Sequence, residues 1–390
     1  MKKFFINAMA FCAMSAAVLS SCSNENDPKD PTTEENTLSG AITNTVTLDA
    51  TKEYTLNGTV TVEEGGELVI PAGTVIKCKK GFSNYLIVLQ GGKINAEGTA
   101  EKPITFTAAE TGAKSGYWGG IIINGKAPIS GEEAGSTGAT EVNNAYAYGG
   151  TNAADNSGVL KYVKIEYAGA RSSADVEHNG LTLNGVGNGT KIENIYVLES
   201  ADDAIEFFGG TVNVNGLLAV NPDDDMFDFT QGYAGKLSNC YGIWAEGYSS
   251  TEEDPRGIEA DGNLDGNGPD HTPQSNFTVE NMTIDLRLAN NTEEGYYMHE
   301  AIKVRRGATA TITNALLTGN GACKDIIDVT DKKGNATTET SISLTNANEG
   351  TRVEGGVDIN SGDETYPSIK IEAGNTGCNA DIFGWTGYEI

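Results

Sequence analysis

The sequence predicts an all-β protein, a right-handed parallel β-helix with closed ends and coils of about 22 residues. Two segments, 199–210 and 221–232, align without a gap, and a fixed period of this length is typical of a stacked array. Glycine supplies 49 of the 390 residues, close to twice its usual frequency of about 7%. These glycines separate short segments rich in Val, Ile and Thr, which indicates strands joined by tight turns.

An apolar–X–apolar triplet recurs through residues 181–359, and period-two alternation turns the flanking residues inward and X outward. Asparagine recurs in a second register, which predicts a ladder at a turn, since Asn tolerates left-handed backbone and bonds to its stacked copy. Insertions are predicted at 246–257, 261–274 and 289–299. The outward row is Thr182, Glu206, Asp228, Glu259, Lys303, Asp328 and Asp358, and the ladder is Asn194, Gly216, Asn239, Asn281, Asn314 and Asn346.

The other segments agree with this fold. Short strands are predicted at 57–62, 67–76, 85–89, 103–108 and 118–124. Open coils would expose strand edges and core, so 38–56 and 366–390 are the expected caps. No segment sustains a 3.6-residue period, and the repeat is shorter than a propeller blade of about 40 residues.

The N-terminus predicts export and a lipid anchor. Lys2 and Lys3 precede an apolar run that ends Leu-Ser-Ser-Cys22, which resembles the lipobox of bacterial lipoproteins. We therefore expect a signal peptide over 1–21, lipidation of Cys22, a disordered acidic tether over 22–37, and one β-helix domain over 38–390. A plain signal peptide with an incidental cysteine is the alternative.

The formal net charge of −28 disfavours a nucleic-acid partner and binding to an anionic lipid face. Membrane contact is therefore expected only through the Cys22 lipid. The other mature cysteines show no CxxC spacing, which argues against zinc or redox motifs, although export permits up to two disulfides. We predict a packed free thiol for Cys240 and leave Cys78, Cys323 and Cys378 open.

Several stretches resemble a large family of secreted β-helix proteins and lipoproteins in Bacteroidetes. They include LVIPAGTVIKCKKG at 68–81, YWGGIIINGKAPIS at 117–130 and DDDMFDF at 223–229. The resemblance covers roughly 55–360. The acidic residues that follow Cys22 are similar to the surface-export signal of such lipoproteins. The resemblance implies the fold and an outer-membrane location facing the exterior, and it brings no biochemical activity with it.

Paired aspartates at two successive turns, Asp202, Asp203, Asp224 and Asp225, predict a calcium site. Carboxylates one coil apart repel by about 3–4 kcal/mol at an effective dielectric constant of about 20, and calcium takes closely spaced oxygen ligands. Solvated aspartates in hydrogen-bonded turns are the alternative. A second calcium loop is predicted from Asp261, Asn263 and Asp265, although Thr272 stands where an EF-hand has its bidentate glutamate.

The same face, residues 202–306, could be catalytic. Paired carboxylates hydrolyse glycosides when one has a raised pKa, and a lyase needs a base near bound calcium. The residues for such an enzyme are Glu206, Asp228, Glu259, Lys303 and Arg305.

Aromatic residues in and near the insertions predict carbohydrate binding by ring stacking. They are Trp244, Tyr248, Tyr296 and Tyr297. Aromatic residues that close an exposed core are the alternative.

Three functional hypotheses follow. The first is a non-catalytic, surface-exposed lipoprotein that binds glycan or another surface component, with structural calcium. The second is a polysaccharide lyase or glycoside hydrolase, and the third is a structural or adhesive envelope protein.

Overall fold

Parallel pairing between successive coils builds almost all of the molecule. The computed structural model describes residues 36–173, 176–358 and 367–390, so the signal peptide, Cys22 and nearly all of the tether lie outside it. The first thirteen strands are β1 (Thr37–Ile42), β2 (Thr45–Thr47), β3 (Glu53–Val62), β4 (Glu67–Pro71), β5 (Val75–Cys78), β6 (Gly81–Val88), β7 (Lys93–Glu97), β8 (Ile104–Ala108), β9 (Trp118–Asn124), β10 (Thr137–Thr140), β11 (Asn143–Gly149), β12 (Gly158–Glu166) and β13 (Leu181–Asn184).

The second half of the chain continues the same stack. It contains two short 3₁₀ helices, Leu264–Gly266 and Ala380–Thr386. Its strands are β14 (Lys191–Leu198), β15 (Ile205–Phe208), β16 (Asn213–Val220), β17 (Phe227–Thr230), β18 (Lys236–Trp244), β19 (Ile258–Ala260), β20 (Asn276–Leu286), β21 (Met298–Lys303), β22 (Thr309–Gly319), β23 (Cys323–Asp328), β24 (Ser341–Asn346), β25 (Val357–Asp358) and β26 (Ser368–Ile371).

Twenty-four of these strands form one continuous set, which confirms the predicted right-handed parallel β-helix. The strands lie on three faces. Long strands such as β14, β16 and β18 bend across two of them, and the short strands β13, β15, β17 and β19 stack on the third. We call this third face the carboxylate face. Strands β10 and β11 stand apart as an antiparallel hairpin.

The predicted outward row is confirmed on the carboxylate face. Thr182 pairs with Glu206, Glu206 with Asp228, and Asp228 with Glu259. Further along, Lys303 pairs with Asp328, which pairs with Asp358. The row also extends toward the N-terminus through Thr61, Ile87 and Ile122. Equivalent side chains therefore stand one above another along the whole face.

The asparagine ladder forms as predicted over three coils. Asn281 donates to Asn239 at 3.0 Å and Asn314 donates to Asn281 at 2.8 Å, with φ between 53° and 56° for all three. A Cβ at Gly216 would lie 2.7 Å from Asn194 Oδ1, which explains the glycine in that coil. The prediction is wrong for Asn346. A bulge in β22 places Asn346 opposite Leu317, three residues away from the ladder.

Stacked aromatic rings fill the centre of the coils. The ring centroids of Phe207 and Phe229 lie 5.1 Å apart, and those of Phe229 and Phe277 lie 4.2 Å apart. The buried Cys240 lies in this core as a free thiol, as predicted. In the described ranges the other cysteines are buried free thiols too, so the disulfides that export would permit are not formed; they are Cys78, Cys323 and Cys378.

The C-terminal segment differs from the predicted end cap. Strand β26 adds to the last coil, but the chain then turns back along the flank. Cys378 N–H donates to Thr283 Oγ1 at 2.9 Å, and Phe383 packs against Leu218 and Ile243. The outward side of β14, β16 and β18 is apolar, so the terminal residues cover that side and not the end of the solenoid. Within the described ranges, no helix has the length and apolar character needed to cross a bilayer.

The ladder can be tested by replacing Asn281. Asn281→Gly should lose the side-chain hydrogen bonds, about 1 kcal/mol each. Asn281→Ala should be the more destabilising variant, because alanine also resists the left-handed backbone by about 1–2 kcal/mol. Urea unfolding measures both free energies of unfolding. Equal losses for the two variants would show that backbone strain at this turn is unimportant.

Candidate functional site

A cavity of about 440 Å³ lies on the carboxylate face. The β10–β11 hairpin walls it on one side and the loop after β19 on another. The hairpin is held by apolar contacts, since Val142 and Tyr146 pack against Ile87 and Ile122 in the N-terminal part of the outward row. The main lining residues are Ile122, Thr140, Val142, Tyr148, Asn179, Thr182, Asn184, Glu206, Phe208, Asp228, Thr230, Glu259, Asp261, Leu264 and Asp265.

Carboxylates form the floor of this cavity and the adjoining turns. Three groups of three each place one oxygen per residue within 4.8 Å of the others. Asp203 and Asp228 each belong to two of these groups, so these two residues link the three groups into one cluster. The groups are Asp202, Asp203 and Asp224; Asp203, Glu206 and Asp228; and Asp225, Asp228 and Glu259. The predicted aspartate pairs thus form one continuous cluster with Glu206, Asp228 and Glu259, three of the predicted catalytic residues.

The second aspartate of each predicted pair, Asp203 or Asp225, accepts a backbone hydrogen bond from the next coil. Asp203 N–H donates to Asn179 Oδ1 at 3.2 Å, and Asp225 N–H donates to Asp203 Oδ1 at 2.9 Å. Arg256 N–H then donates to Asp225 Oδ1 at 2.6 Å. The turn hypothesis therefore explains one oxygen of each carboxylate. Both residues also belong to the metal-spaced groups.

Burial and mutual repulsion make these carboxyls weak acids. Burial raises the pKa of Glu206 well above its ordinary value, and neighbouring Asp228 adds to the effect. Burial also raises the pKa of Asp228 well above its ordinary value, and the nearby Glu259 raises it further. Burial, with Glu259 as the next cause, raises the pKa of Asp224 to about 8. The cluster therefore resists full ionisation unless a positive charge joins it.

Basic residues neutralise the later coils and the edge of the cluster near Asp223, where Arg171 pairs with Glu177 and Glu252 and lies 4.0 Å from Asp223. Arg256 Nε binds Glu300 at 2.8 Å and its guanidinium also binds Glu259. Arg305 Nε binds Asp261 at 2.8 Å and reaches Glu259 as well.

Lys303 is paired with Asp328 and is buried. Lys303 and Arg305 are thus held in ion pairs, which argues against either as a free base for a lyase. In the part of the chain that the structure describes, no ion pair reaches Glu206 or Asp228.

Two buried carboxylate oxygens in the cluster, Asp224 Oδ1 and Asp228 Oδ1, have no hydrogen-bond partner among the described residues. An unpaired buried acceptor is costly, so such atoms indicate a missing donor or cation. Hard oxygen ligands at this spacing suit a calcium ion. The carboxylate cluster is therefore a better candidate for the predicted calcium site than the loop of Asp261, Asn263 and Asp265.

The predicted calcium loop directs its oxygens elsewhere. Asp261 forms ion pairs with Arg305 and Arg306, and Asn263 Oδ1 accepts from Gly268 N–H at 2.7 Å. Asp265 is exposed at the cavity rim. These three side chains form no metal-spaced group in the described ranges. The reason is the register, which brings Arg305 beside Asp261.

The predicted aromatic platform does not form. Trp244 is fully buried in the core, 5.4 Å from the Tyr248 ring, so it presents no face to a ligand. The Tyr248 hydroxyl donates to Pro222 O at 2.9 Å. Tyr297 is buried and stacks on His299, and Tyr296 is the exposed member of the set. None of these residues lines the cavity. The alternative, aromatic residues that close the core, is the better description of Trp244 and Tyr248.

Sequence reasoning missed the residues two positions beyond the outward row. Asn184 and Phe208 follow Thr182 and Glu206 by two, pair with each other across the coils, and line the cavity. Period-two alternation already places them on the same face. Tyr148 on the hairpin was missed because no sequence signal links the hairpin to this face.

Residues 40–388 match the family described as pectate-lyase-like beta helix domain. The chain belongs to this family. The match covers most of the chain and agrees with the parallel β-helix, and the family description relates the fold to carbohydrate. No curated protein and no solved structure matches the chain. The match thus confirms that the chain belongs to a family of parallel β-helix proteins.

The raised carboxyl pKa values predict an unusual pH dependence. The folded protein retains protons that the unfolded chain releases, so in chelator its free energy of unfolding should fall as pH rises. For Asp224 the window runs from 3.8, its unfolded value, to about 8. Thermal unfolding from pH 4 to pH 9 should therefore be flatter for Asp224→Asn than for the wild type. Asp270→Asn, at an exposed position outside the cluster, is the control. Identical slopes for Asp224→Asn and wild type would contradict the prediction.

Proposed function

We propose that the protein is a non-catalytic, carbohydrate-binding β-helix lipoprotein of the outer cell surface, with calcium held at the carboxylate cluster. The cavity above Glu206 and Asp228 is the observation that carries this proposal. Its volume of about 440 Å³ falls in the range of small-ligand sites, about 300–1,000 Å³. The pectate-lyase-like family description supports carbohydrate as the ligand class.

Calcium supports the same site. Asp228 belongs to two groups of closely spaced carboxylates and has an unpartnered buried oxygen. The nearest arginines already neutralise Glu259 and Asp261. A divalent ion at Asp203, Glu206 and Asp228 would offset the repulsion along the row and hold the floor of the cavity in place.

The proposed location at the cell surface is based on the N-terminal sequence. The charged residues Lys2 and Lys3, the apolar run and Cys22 have the order of a lipoprotein signal. The acidic residues that follow favour display on the outer face, as in the Bacteroidetes lipoproteins that the sequence resembles. An adhesive role would use the same display.

Glycoside hydrolysis is the second candidate, and one observation favours it. Glu206 and Asp228 pair directly in the floor of the cavity, and burial raises the pKa of both. Two such carboxyls can share one proton, so one could act as the acid and the other as the ionised partner. A lyase is less favoured because Lys303 and Arg305 are already paired.

Binding and catalysis can be separated in one experiment. The purified mature protein, in mild detergent with calcium, is applied to immobilised neutral and acidic polysaccharides while new reducing ends are assayed. We expect retention without product. Chelator and Asp228→Asn should each abolish retention, and each should remove the rise in melting temperature that calcium causes. That rise corresponds to about 2.7 kcal/mol at one hundred times the Kd.

Asp270→Asn is the matched control, because Asp270 is exposed and belongs to no carboxylate group of the cluster. If the wild type releases reducing ends and Glu206→Gln abolishes that release, the protein is a hydrolase and the proposal of a non-catalytic binder is wrong. Retention that is insensitive to chelator and to Asp228→Asn would contradict the calcium proposal.

Lipid anchoring predicts a simple fractionation result. Cys22→Ala should lose metabolically incorporated palmitate and leave the membrane pellet, because one residue carries the anchor. Wild type should remain in the pellet after a high-salt wash. Equal palmitate in both proteins would contradict the assignment of Cys22.

A further inference from the structure

One buried amide in the cavity lacks a partner. Asn184 lines the cavity and is 2% exposed, yet its Oδ1 accepts no hydrogen bond from the residues that the structure describes. The other unpartnered atom among the lining residues is Asp228 Oδ1. Both atoms are acceptors. A ligand that completes this cavity must therefore present donors.

The orientation of the Asn184 amide is fixed by a chain of hydrogen bonds. Asn124 Nδ2 donates to Ala147 O at 3.2 Å and to Thr140 Oγ1 at 2.7 Å. A carbonyl can only accept, so the oxygen of Asn124 faces Asn184 and accepts from its Nδ2 at 2.9 Å. The Asn184 oxygen is therefore left on the other side of its amide group.

Phe208 lies beside Asn184 in the neighbouring coil. It pairs with Asn184 one coil away and is partly exposed in the cavity. Its ring centroid is 6.3 Å from that of Tyr148, whose hydroxyl is held by Gln231 at 2.7 Å. Phe208 thus offers an apolar ring surface on a supported wall. An aromatic ring beside a hydroxyl acceptor is an arrangement suited to one face of a pyranose.

The negative charge of the cavity favours neutral sugars over acidic ones. No lysine or arginine is among the lining residues, and Glu206 and Asp228 have no ion pair in the described ranges. Arg305 is already paired with two lining residues, Glu259 and Asp261. A uronate would bring a further carboxylate into this wall, and even one bound divalent ion would leave the carboxylates in excess.

We propose that Asn184 and Phe208 form a subsite for a neutral pyranose and that the cavity rejects uronates. A sugar hydroxyl donates to Asn184 Oδ1, and the C–H face of the same ring packs on Phe208. This inference rests on the proposed function, since it names the class of glycan that the same cavity takes. It also distinguishes this chain from what the name of its family would lead one to expect.

The test uses the purified mature protein with calcium and a matched pair of ligands. These are oligogalacturonate and the same oligomer after carboxyl reduction, which removes the charge and keeps the linkage and length. Neutral galactan, xylan and glucomannan extend the panel. We expect retention on neutral members only. Phe208→Ala should weaken binding to any retained glycan about tenfold or more.

Phe208→Tyr keeps the ring and should bind within about threefold of wild type, while Tyr296→Ala, at an exposed aromatic outside the cavity, should change nothing. Asn184→Ala should also lose affinity, and melting curves show whether it is folded. Stronger retention of oligogalacturonate, or Phe208→Ala with unchanged affinity, would overturn this inference and leave glycan binding standing. Retention of no glycan at all would overturn the proposed function and this inference with it.

Discussion

Repulsion between carboxylates in register is the constraint on which the rest of this face depends. Parallel pairing sets Glu206 directly above Asp228 and Asp228 above Glu259, so like charges repeat at the spacing of the strands. At about 4.8 Å each such pair costs about 3–4 kcal/mol at an effective dielectric constant of about 20, against about 1 in water. Arg256 and Arg305 remove this cost from Glu259 onward. Glu206 and Asp228 have no such partner in the described ranges, so a cation or a donor-bearing ligand would complete the cavity there.

The fold turns this row into a site because inserted segments rise around its outward side and enclose a cavity. The apolar members Ile87 and Ile122 hold the hairpin, and the charged members that follow remain beneath open space. The 261–274 insertion forms the opposite rim and is itself held by arginines that bind Asp261. The flank formed by β16 and β18 is closed by the C-terminal segment, so its apolar side chains are not available to a ligand. Regular coils thus supply the floor, and irregular segments supply the walls.

The repeat was enough to predict the coil, the outward row and three members of the asparagine ladder, because each follows from spacing alone. The same alternation would have found Asn184 and Phe208, had it been continued by two residues. Trp244 could not be assigned correctly, because an aromatic residue at a strand end looks the same whether it faces ligand or core. Asp261 was misjudged for a different reason. Its arginine partners lie more than forty residues away, and an insertion between them hides the register. The hairpin wall has no repeat signal at all.

The central claim is that a cation completes the carboxylate row, and the most direct measurement is crystallographic. Crystals grown with calcium, and matched crystals grown in chelator, would be compared by anomalous difference density over the carboxylate face. We predict one strong calcium peak about 2.3–2.6 Å from Asp228 Oδ1, with Asp203 or Glu206 completing the shell, and no peak in chelator. A cavity without a peak in calcium, with carboxyl groups hydrogen-bonded directly to one another, would contradict it.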